Sequence, residues 1–323
     1  MSSGTKPNYV IFDTDMGSDD AWALQMILKA EKVLKSVKVL AITTVNGNTT
    51  NENVIKNTYR ILDGFDRTDI PIYKGADEAL IPGDIKRGSH GANGFADVEF
   101  WDLDKYPSDI NTLIQRKRAI EIIRDLVMEH PNEITLICVG PLTNIALAIK
   151  SFSEIKTNIK EAMVLGGNHQ GIGSIKPCAD FNFYMDPEAA HIVLNSLTCP
   201  ITTLPLECGL VQNLNIPLDW RFNVLANVNA NDKNLTLLNE IERIRFRGRL
   251  SYVPYDALLT AVFLFPERCI RTKNQCNATV ELHGSHTRGQ TVIDRRNSNY
   301  NVTIIEQVYE EEFKNSLVWT VSE

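Results

Sequence analysis

The sequence predicts an α/β fold in which a doubly wound, largely parallel sheet is flanked by helices. Three features predict it. Apolar runs that read as buried strands alternate with stretches of helical periodicity from one end of the chain to the other. Each run ends on a short polar or glycine-containing loop. The 323 residues carry no internal repeat and no low-complexity linker, so one continuous domain over 1–323 is expected.

Residues 9–12 form the first strand, which runs into a reversal and then a helix with Ala21, Leu24, Ile27 and Leu28 on one face. Residues 37–44 form the second, ending in the polar loop 46–50 before a helical run at about 52–62. Residues 71–73 make a short third strand. Helical spacing follows in Ile114, Ile120, Ile123, Leu126 and Val127, and 134–139 is a continuous buried strand. Gly140-Pro141-Leu142-Thr143-Asn144 turns into another helix, 163–165 ends at Gly166-Gly167-Asn168, and 201–204 ends near Pro205 and Glu207. In open sheets of this kind ligands bind in the crevice outside the carboxyl ends of the strands. Residues 75–107 form a long, polar segment with Gly83, Gly88, Gly91 and Gly94, expected to act as a lid-like loop.

The first reversal carries the most chemical information. Asp13, Asp15, Asp19 and Asp20 crowd between the first strand and the first helix. Like charges held a few ångströms apart repel, and in a partly desolvated crevice one would take up a proton unless a cation sat among them. Oxygen donors suit Ca²⁺ or Mg²⁺, and no Cys or His in the stretch favours zinc. A capped helix start, with Ser18 as the cap and Asp in the first turn, accounts for one or two carboxylates but not for all of them. In the phosphatases that use an aspartyl nucleophile, Gly follows the second Asp of Asp-x-Asp, and here Met16 intervenes. A calcium loop of the EF-hand kind needs Gly at its sixth position and Glu at its twelfth; counted from Asp13 these are Ser18 and Leu24.

Whole-chain properties exclude other classes of partner. A formal net charge of −7, with no cluster of Lys and Arg interleaved with aromatics, argues against a nucleic-acid polymer. No apolar run approaches the roughly 18 to 20 residues of a membrane span. The first residues lack the apolar core of a signal peptide, and the six cysteines are scattered without Cys-x-x-Cys spacing, so reduced thiols and a cytoplasmic location are expected. Asn277-Ala278-Thr279 and Asn301-Val302-Thr303 match a glycosylation pattern that often arises by chance. Gly166-Gly167-Asn168 lacks the glycine spacing and Lys of a phosphate cradle, and no Arg or Lys stands in the recognisable site loops to pair with a phosphate. Both absences argue against a phosphate-bearing ligand.

Asp13-Thr14-Asp15-Met16-Gly17-Ser18-Asp19-Asp20-Ala21 resembles the N-terminal fingerprint of the inosine-uridine-preferring nucleoside hydrolases. Further segments follow in that family's order: residues 41–48, residues 139–146, Val164-Leu165-Gly166-Gly167, Asp180-Phe181-Asn182 with Asp186-Pro187-Glu188-Ala189-Ala190, and Tyr255-Asp256-Ala257-Leu258. The resemblance implies a nucleoside hydrolase fold with a Rossmann-like core, and calcium-dependent hydrolysis of the N-glycosidic bond of ribonucleosides to ribose and free base. It implies Ca²⁺ held by Asp15, Asp20, the carbonyl of Val139 and Asp256. A remote donor is reasonable because Ca²⁺ takes six to eight oxygens, although an Asp opening a helical run also serves as an N-cap. By the same resemblance Asp15 is the general base toward a Ca²⁺-bound water, with Asp13 as its support. Asp19 and Asn182 grip the ribose hydroxyls, Asn48 supports the same pocket, Asp180 reaches the 5′ hydroxyl, and Asn168 and His90 complete the substrate-binding set. A solvated loop histidine is the simpler reading of His90, His169 carries the same choice, and the helical spacing of His191 reads as structural.

Two positions depart from the family pattern. Many members have Glu where this chain has Asp180, one methylene shorter. Members that accept many bases have His before the remote metal Asp, whereas the purine-preferring branch has Trp followed by Asp-Ala-Leu; Tyr255 is closer to the second pattern. An aromatic there can stack on a leaving purine or donate a hydrogen bond, so Tyr255 joins the catalytic set and purine nucleosides are the expected substrates. A pyrimidine (uridine) nucleosidase and a non-catalytic calcium- and ribose-binding homologue are the alternatives. The resemblance further implies a homodimer or homotetramer.

Overall fold

The computed structural model describes residues 6–83, 89–99, 109–210 and 213–323. Its strands are β1 (Asn8–Thr14), β2 (Val37–Thr44), β3 (Ile72–Lys74), β4 (Ile134–Cys138), β5 (Glu161–Leu165), β6 (Ile201–Leu204), β7 (Ile270–Val280), β8 (Thr291–Asp294) and β9 (Val302–Val308). The helices are α1 (Ser18–Lys29), α2 (Asn51–Gly64), α3 (Ala119–Glu129), α4 (Thr143–Ser151), α5 (Phe181–Met185), α6 (Pro187–Ser196), α7 (Lys233–Arg245), α8 (Tyr255–Leu264), α9 (Pro266–Cys269) and α10 (Glu310–Val321). Among the described residues no helix is long and apolar enough to cross a membrane.

The strands join in the order β3-β2-β1-β4-β5-β6-β9-β7-β8. Pairing is parallel from β3 through β9, and β7 then runs antiparallel to both β9 and β8. The predicted parallel sheet is therefore present, with an antiparallel edge that the apolar pattern did not disclose. The reason lies in β7, whose residues 271–275 are exposed and whose remainder alternates buried with half-buried, leaving no continuous apolar run.

Chain order reverses beside β1. The strands that follow it first build outward through β2 and β3, and the chain then returns to β4 on the other side. Such a switch opens a crevice between the two loops that leave adjacent strands in opposite directions. Val139 N–H donates to Asp13 O at 2.9 Å and Val45 N–H to Thr14 O at 3.0 Å, so the loops after β4 and β2 are both stitched to the end of β1.

The period-2 alternation of β1 divides two cores. Val10 and Phe12 face a cluster that includes Trp22, Ile27, Leu235, Leu258 and Leu317, whereas Ile11 faces Ile123, Leu136, Ile145 and Val193. Helix α1 is buried from Ser18 to Leu28 and packs against α8, itself buried from Asp256 to Val262. Both helices thus bring acidic residues into the interior at their first turns. Gly17, not Ser18, is the N-cap of α1; the Asp20 carboxylate takes the Gly17 N–H at 2.8 Å, so the hydroxyl of Ser18 is free for another partner.

Helix α7 is fastened to this core by a buried ion pair. Arg221, in the helical turn Trp220–Val224, donates through Nε to Glu242 Oε2 at 2.6 Å and through Nη1 to Asn239 Oδ1 at 2.7 Å. Both charged side chains are fully buried, and the rings of Trp22 and Tyr252 stand 5.5 Å from the guanidinium. Removing one partner strands the other charge, whereas replacing both by apolar groups leaves none. Glu242→Ala is therefore expected to lower the unfolding free energy by about 3–5 kcal/mol, and Glu242→Leu with Arg221→Met to recover most of it. Urea denaturation measures both, and a single-variant loss below about 1 kcal/mol would contradict the role assigned to the pair.

Candidate active site

The site begins where β1 ends. Asp13 Oδ1 accepts from Thr43 Oγ1 at 2.5 Å and from Asn144 Nδ2 at 2.7 Å, which clasps β1, β2 and α4 together. Burial pushes the Asp13 carboxyl up to about 7 against those two donors. Met16, with φ of 23°, makes the reversal, and Thr14 Oγ1 braces it by accepting from Met16 N–H at 3.0 Å and donating to Asp20 Oδ1 at 2.6 Å. Asp15 Oδ2 accepts the Asn48 N–H at 2.7 Å. A Cβ on Gly47 would lie 2.1 Å from that oxygen, so only glycine lets the loop after β2 approach so closely. Asn48 also donates from Nδ2 to Asp20 Oδ2 at 3.3 Å.

Asp256 enters from the far end of the sequence as the second residue of α8, whose N-cap is Pro254; it does not cap the helix. Asp15 Oδ1 and Asp256 Oδ1 are both buried with no hydrogen-bond donor among the described residues. Burial first, and repulsion from Asp20 second, push the Asp15 and Asp256 carboxyls well above the usual range. Asp20 is raised by burial and then by Asp19. Asp19 behaves oppositely: burial works against its charge, but the Arg245 guanidinium holds its carboxyl below the usual range.

Oxygen atoms of Asp19, Asp20 and Asp256 lie within 4.8 Å of one another, a group that can hold a metal ion. The donors are all oxygen and two neighbouring oxygens lack partners, so the residues fit a hard divalent cation. Of the expected set of Asp15, Asp20, Val139 and Asp256, this close group contains Asp20 and Asp256; its third carboxylate is Asp19, not Asp15. Val139 lines the same cavity, and its carbonyl accepts from Asn182 Nδ2 at 2.8 Å.

The cavity above these carboxylates has a volume of about 760 Å³. Its lining is mixed: Asp19, Asn48, His90, Asp180 and Asn182 contribute polar groups, and Leu206, Leu210, Phe246, Val253 and Tyr255 apolar ones. Such a lining suits a ligand that joins a polyhydroxylated ring to a flat apolar one. The Tyr255 ring lies over Gly209, where a Cβ would come within 2.3 Å of it, and burial raises its hydroxyl, which stays protonated and able to donate.

Asp180 caps α5. Its Oδ1 accepts from Asn182 N–H at 3.0 Å and Phe183 N–H at 3.4 Å, its Oδ2 from Gly167 N–H at 2.6 Å, and burial still pushes the carboxyl up to about 7. The short side chain is therefore folded onto the backbone at the cavity edge. Asn182 bridges the ends of β4 and β5 through the carbonyls of Val139 and Leu165.

Several expectations need correction. Asn168 is not in the cavity wall: its amide donates to the carbonyls of Ile172 and Cys178 and accepts from Thr291 N–H at 3.0 Å, so it scaffolds the loop after β5. His90 is buried instead of solvated, with Nε2 3.6 Å from Asp19 Oδ1; burial, reinforced by Arg245, pushes its imidazole down to about 3 and leaves it neutral. The 75–107 segment lies partly outside the described residues, at 84–88 and 100–107. Its described portion is anchored, with Thr49 Oγ1 donating to Ala92 O at 2.5 Å and Asn57 Nδ2 to Asn93 O at 2.9 Å. His169 sits 3.4 Å from Glu207, and His191 pairs with Thr279 Oγ1 at 3.0 Å, away from the cavity.

Two residues of the site escaped the sequence. Glu207, fully buried, collects the backbone N–H groups of His169, Gln170 and Ile172 and so fixes the loop beside the cavity. Arg245, at the end of α7, donates from Nη1 to Asp19 Oδ1 at 3.0 Å and to Ser18 Oγ at 2.7 Å. Arg249 also lines the cavity, which overturns the expectation that no arginine or lysine stands in the site. The run Arg243, Arg245, Arg247 and Arg249 just before Tyr255-Asp256 was the available signal, but it does not say which guanidinium turns inward.

Comparison with known proteins agrees with this geometry. The family profile of inosine-uridine preferring nucleoside hydrolase matches residues 10–315. The inosine-uridine preferring nucleoside hydrolase of Leishmania major is 31% identical over 294 residues, covering 90% of this chain and 88% of the relative. The solved inosine-guanosine nucleoside hydrolase superposes with a TM-score of 0.84 at 27% identity, covering 98% of each chain. The purine-preferring ribonucleoside hydrolase from Gardnerella vaginalis superposes with a TM-score of 0.82 at 25% identity over 97% of this chain and 98% of that one. With a matching profile over nearly its whole length, this chain belongs to the inosine-uridine preferring nucleoside hydrolases, glycosidases that hydrolyse the N-glycosidic bond of ribonucleosides.

Proposed function

We propose that the protein is a calcium-dependent ribonucleoside hydrolase that prefers purine nucleosides. The observation that carries this reading is the buried carboxylate group with two unpartnered oxygens, beside a cavity lined both by polar groups and by apolar ones that include Tyr255. A divalent cation held by Asp20, Asp256, Asp15 and the Val139 carbonyl supplies positive charge that offsets the carboxylates and lowers the pKa of a water beside it.

The chain's own groups do the rest. Asp15 Oδ1, free of any donor among the described residues, receives the proton of the attacking water, while the Asn48 N–H on Oδ2 fixes the carboxylate plane. Asp19 accepts from the ribose hydroxyls, and Asn182 and Asn48 line the same end of the cavity. Holding the sugar matters because the anomeric carbon passes through an oxocarbenium-like state in which charge spreads into the ring. Asp180 lines the cavity with its oxygens already shared among backbone N–H groups, so a 5′ hydroxyl would share an oxygen that the backbone also holds. The departing base lies against Tyr255, whose ring stacks on it and whose protonated hydroxyl can donate to it. A purine offers the larger stacking face. Uridine turnover is the second reading, supported by the name of the Leishmania major relative.

Purified enzyme with Ca²⁺ is expected to release ribose from inosine faster than from uridine, as read by a reducing-sugar assay. A faster rate on uridine would select the pyrimidine reading, and no release from any nucleoside would reject hydrolysis. Treatment with a chelator is expected to abolish turnover and Ca²⁺ to restore it; full activity without divalent cation would remove the metal role. Asp15→Asn is expected to lower kcat by about 10²–10⁴ with the melting profile retained. Tyr255→Ala is expected to lower kcat/KM for inosine about tenfold more than for uridine, the size of a lost stacking contact. Equal losses on both substrates would leave Tyr255 as a packing residue.

A further inference from the structure

Arg245 stands inside the site, yet the chemistry above gives it no task. Four carboxylates, Asp15, Asp19, Asp20 and Asp256, meet below the cavity, and a divalent cation offsets only half of their charge. Asp19 is the odd member: its oxygens lie close enough to those of Asp20 and Asp256 to share an ion with them. Ca²⁺ takes six to eight oxygens and readily recruits a free carboxylate within reach. A carboxylate that enters such a shell is lost to the sugar.

Arg245 engages both Asp19 oxygens, Oδ1 through Nη1 at 3.0 Å and Oδ2 through Nη2 at 3.5 Å, while Nη1 also holds Ser18 Oγ at 2.7 Å. A guanidinium keeps its charge when buried, and its planar fork matches a carboxylate at two points. It is also supported from behind. Glu242 lies one turn earlier on α7, its charge favours that of Arg245, and it is itself held by Arg221 at 2.6 Å and by the Tyr252 hydroxyl at 3.3 Å. Arg221, Glu242, Arg245 and Asp19 therefore form a row of alternating charges leading from the core to the cavity.

We propose that Arg245 is a positioning residue that keeps Asp19 out of the cation's coordination shell and turned toward the sugar hydroxyls. The inference rests on the reading of Asp19 as the ribose-binding carboxylate. It divides the acidic cluster in two: Asp15, Asp20 and Asp256 serve the cation, and Asp19, paired with Arg245, serves the substrate.

Luminescence of Tb³⁺ bound in place of Ca²⁺ tests this directly, since its lifetimes in H₂O and D₂O count the water ligands on the ion. In Arg245→Met, Asp19 is expected to enter the shell and displace about one water relative to the parent protein, with the carboxylate filling one of the positions available to a hard cation. Adding Asp19→Asn to that variant is expected to restore the parental count. Under steady state with inosine, Arg245→Met is expected to raise KM about tenfold or more with a smaller change in kcat, and Arg245→Lys to recover part of that loss because it restores the charge without the fork. An unchanged water count in Arg245→Met, or an unchanged KM, would overturn the proposal. Circular dichroism establishes that each variant is folded, and Arg245→Gln takes the same measurements should the Met variant fail to fold. If the parent protein hydrolyses no nucleoside, the functional reading falls, while the Tb³⁺ lifetimes still decide whether Arg245 withholds Asp19 from the ion.

Discussion

Four acidic side chains buried at one strand end repel one another, and much of the surrounding architecture answers that repulsion. Backbone N–H groups of Gly17 and Asn48 and the hydroxyl of Thr14 each point at a carboxylate oxygen, and Arg245 is brought across from α7 to a fourth. These donors do not neutralise the group. Asp15, Asp20 and Asp256 stay shifted toward their protonated forms, which is the electrostatic signature of a site completed by a cation. Asp19 alone is held as an anion by the protein itself.

The sheet topology explains why such a cluster is tolerated. At the switch beside β1, two loops diverge and leave a crevice that no side chain of the sheet has to fill. Helices α1 and α8 lie buried against one another and present their first turns to that crevice, so their N-terminal N–H groups and dipoles face the acidic residues they carry. A fold that placed the same carboxylates at the C-terminal end of a helix would add repulsion from its carbonyls.

Much of this was readable from the chain, for reasons that differ by residue. Strand β4 is buried along its whole length and β1 from Val10 onward, so both read as apolar runs, and the Asp13–Asp20 cluster is conspicuous because its members are close in sequence. Strand β7 was missed because it alternates, and Arg245 because its partner lies at the opposite end of the sequence and three other arginines surround it. His90 looked like a solvated loop residue since glycines flank it; its burial comes from packing against Gly17 and Asp19, which no local pattern encodes. Asn168 failed for the converse reason. Its place in a recognisable motif suggested ligand contact, and the folded loop uses its amide internally.

The pairing of Asp20 with Asp256 has a thermodynamic corollary. These two residues come from the first and the eighth α-helix, and the fold brings their oxygens within 4.8 Å of one another. The unfolded chain keeps Asp13, Asp15, Asp19 and Asp20 near one another but leaves Asp256 far away, so a cation held by Asp20 and Asp256 together would bind the native state more tightly. By mass action such an ion would act as a reporter of tertiary closure: the chain's resistance to unfolding would rise with the logarithm of free cation once that exceeds the dissociation constant. The same contact that arms the site for chemistry therefore couples its integrity to the ionic composition of its surroundings.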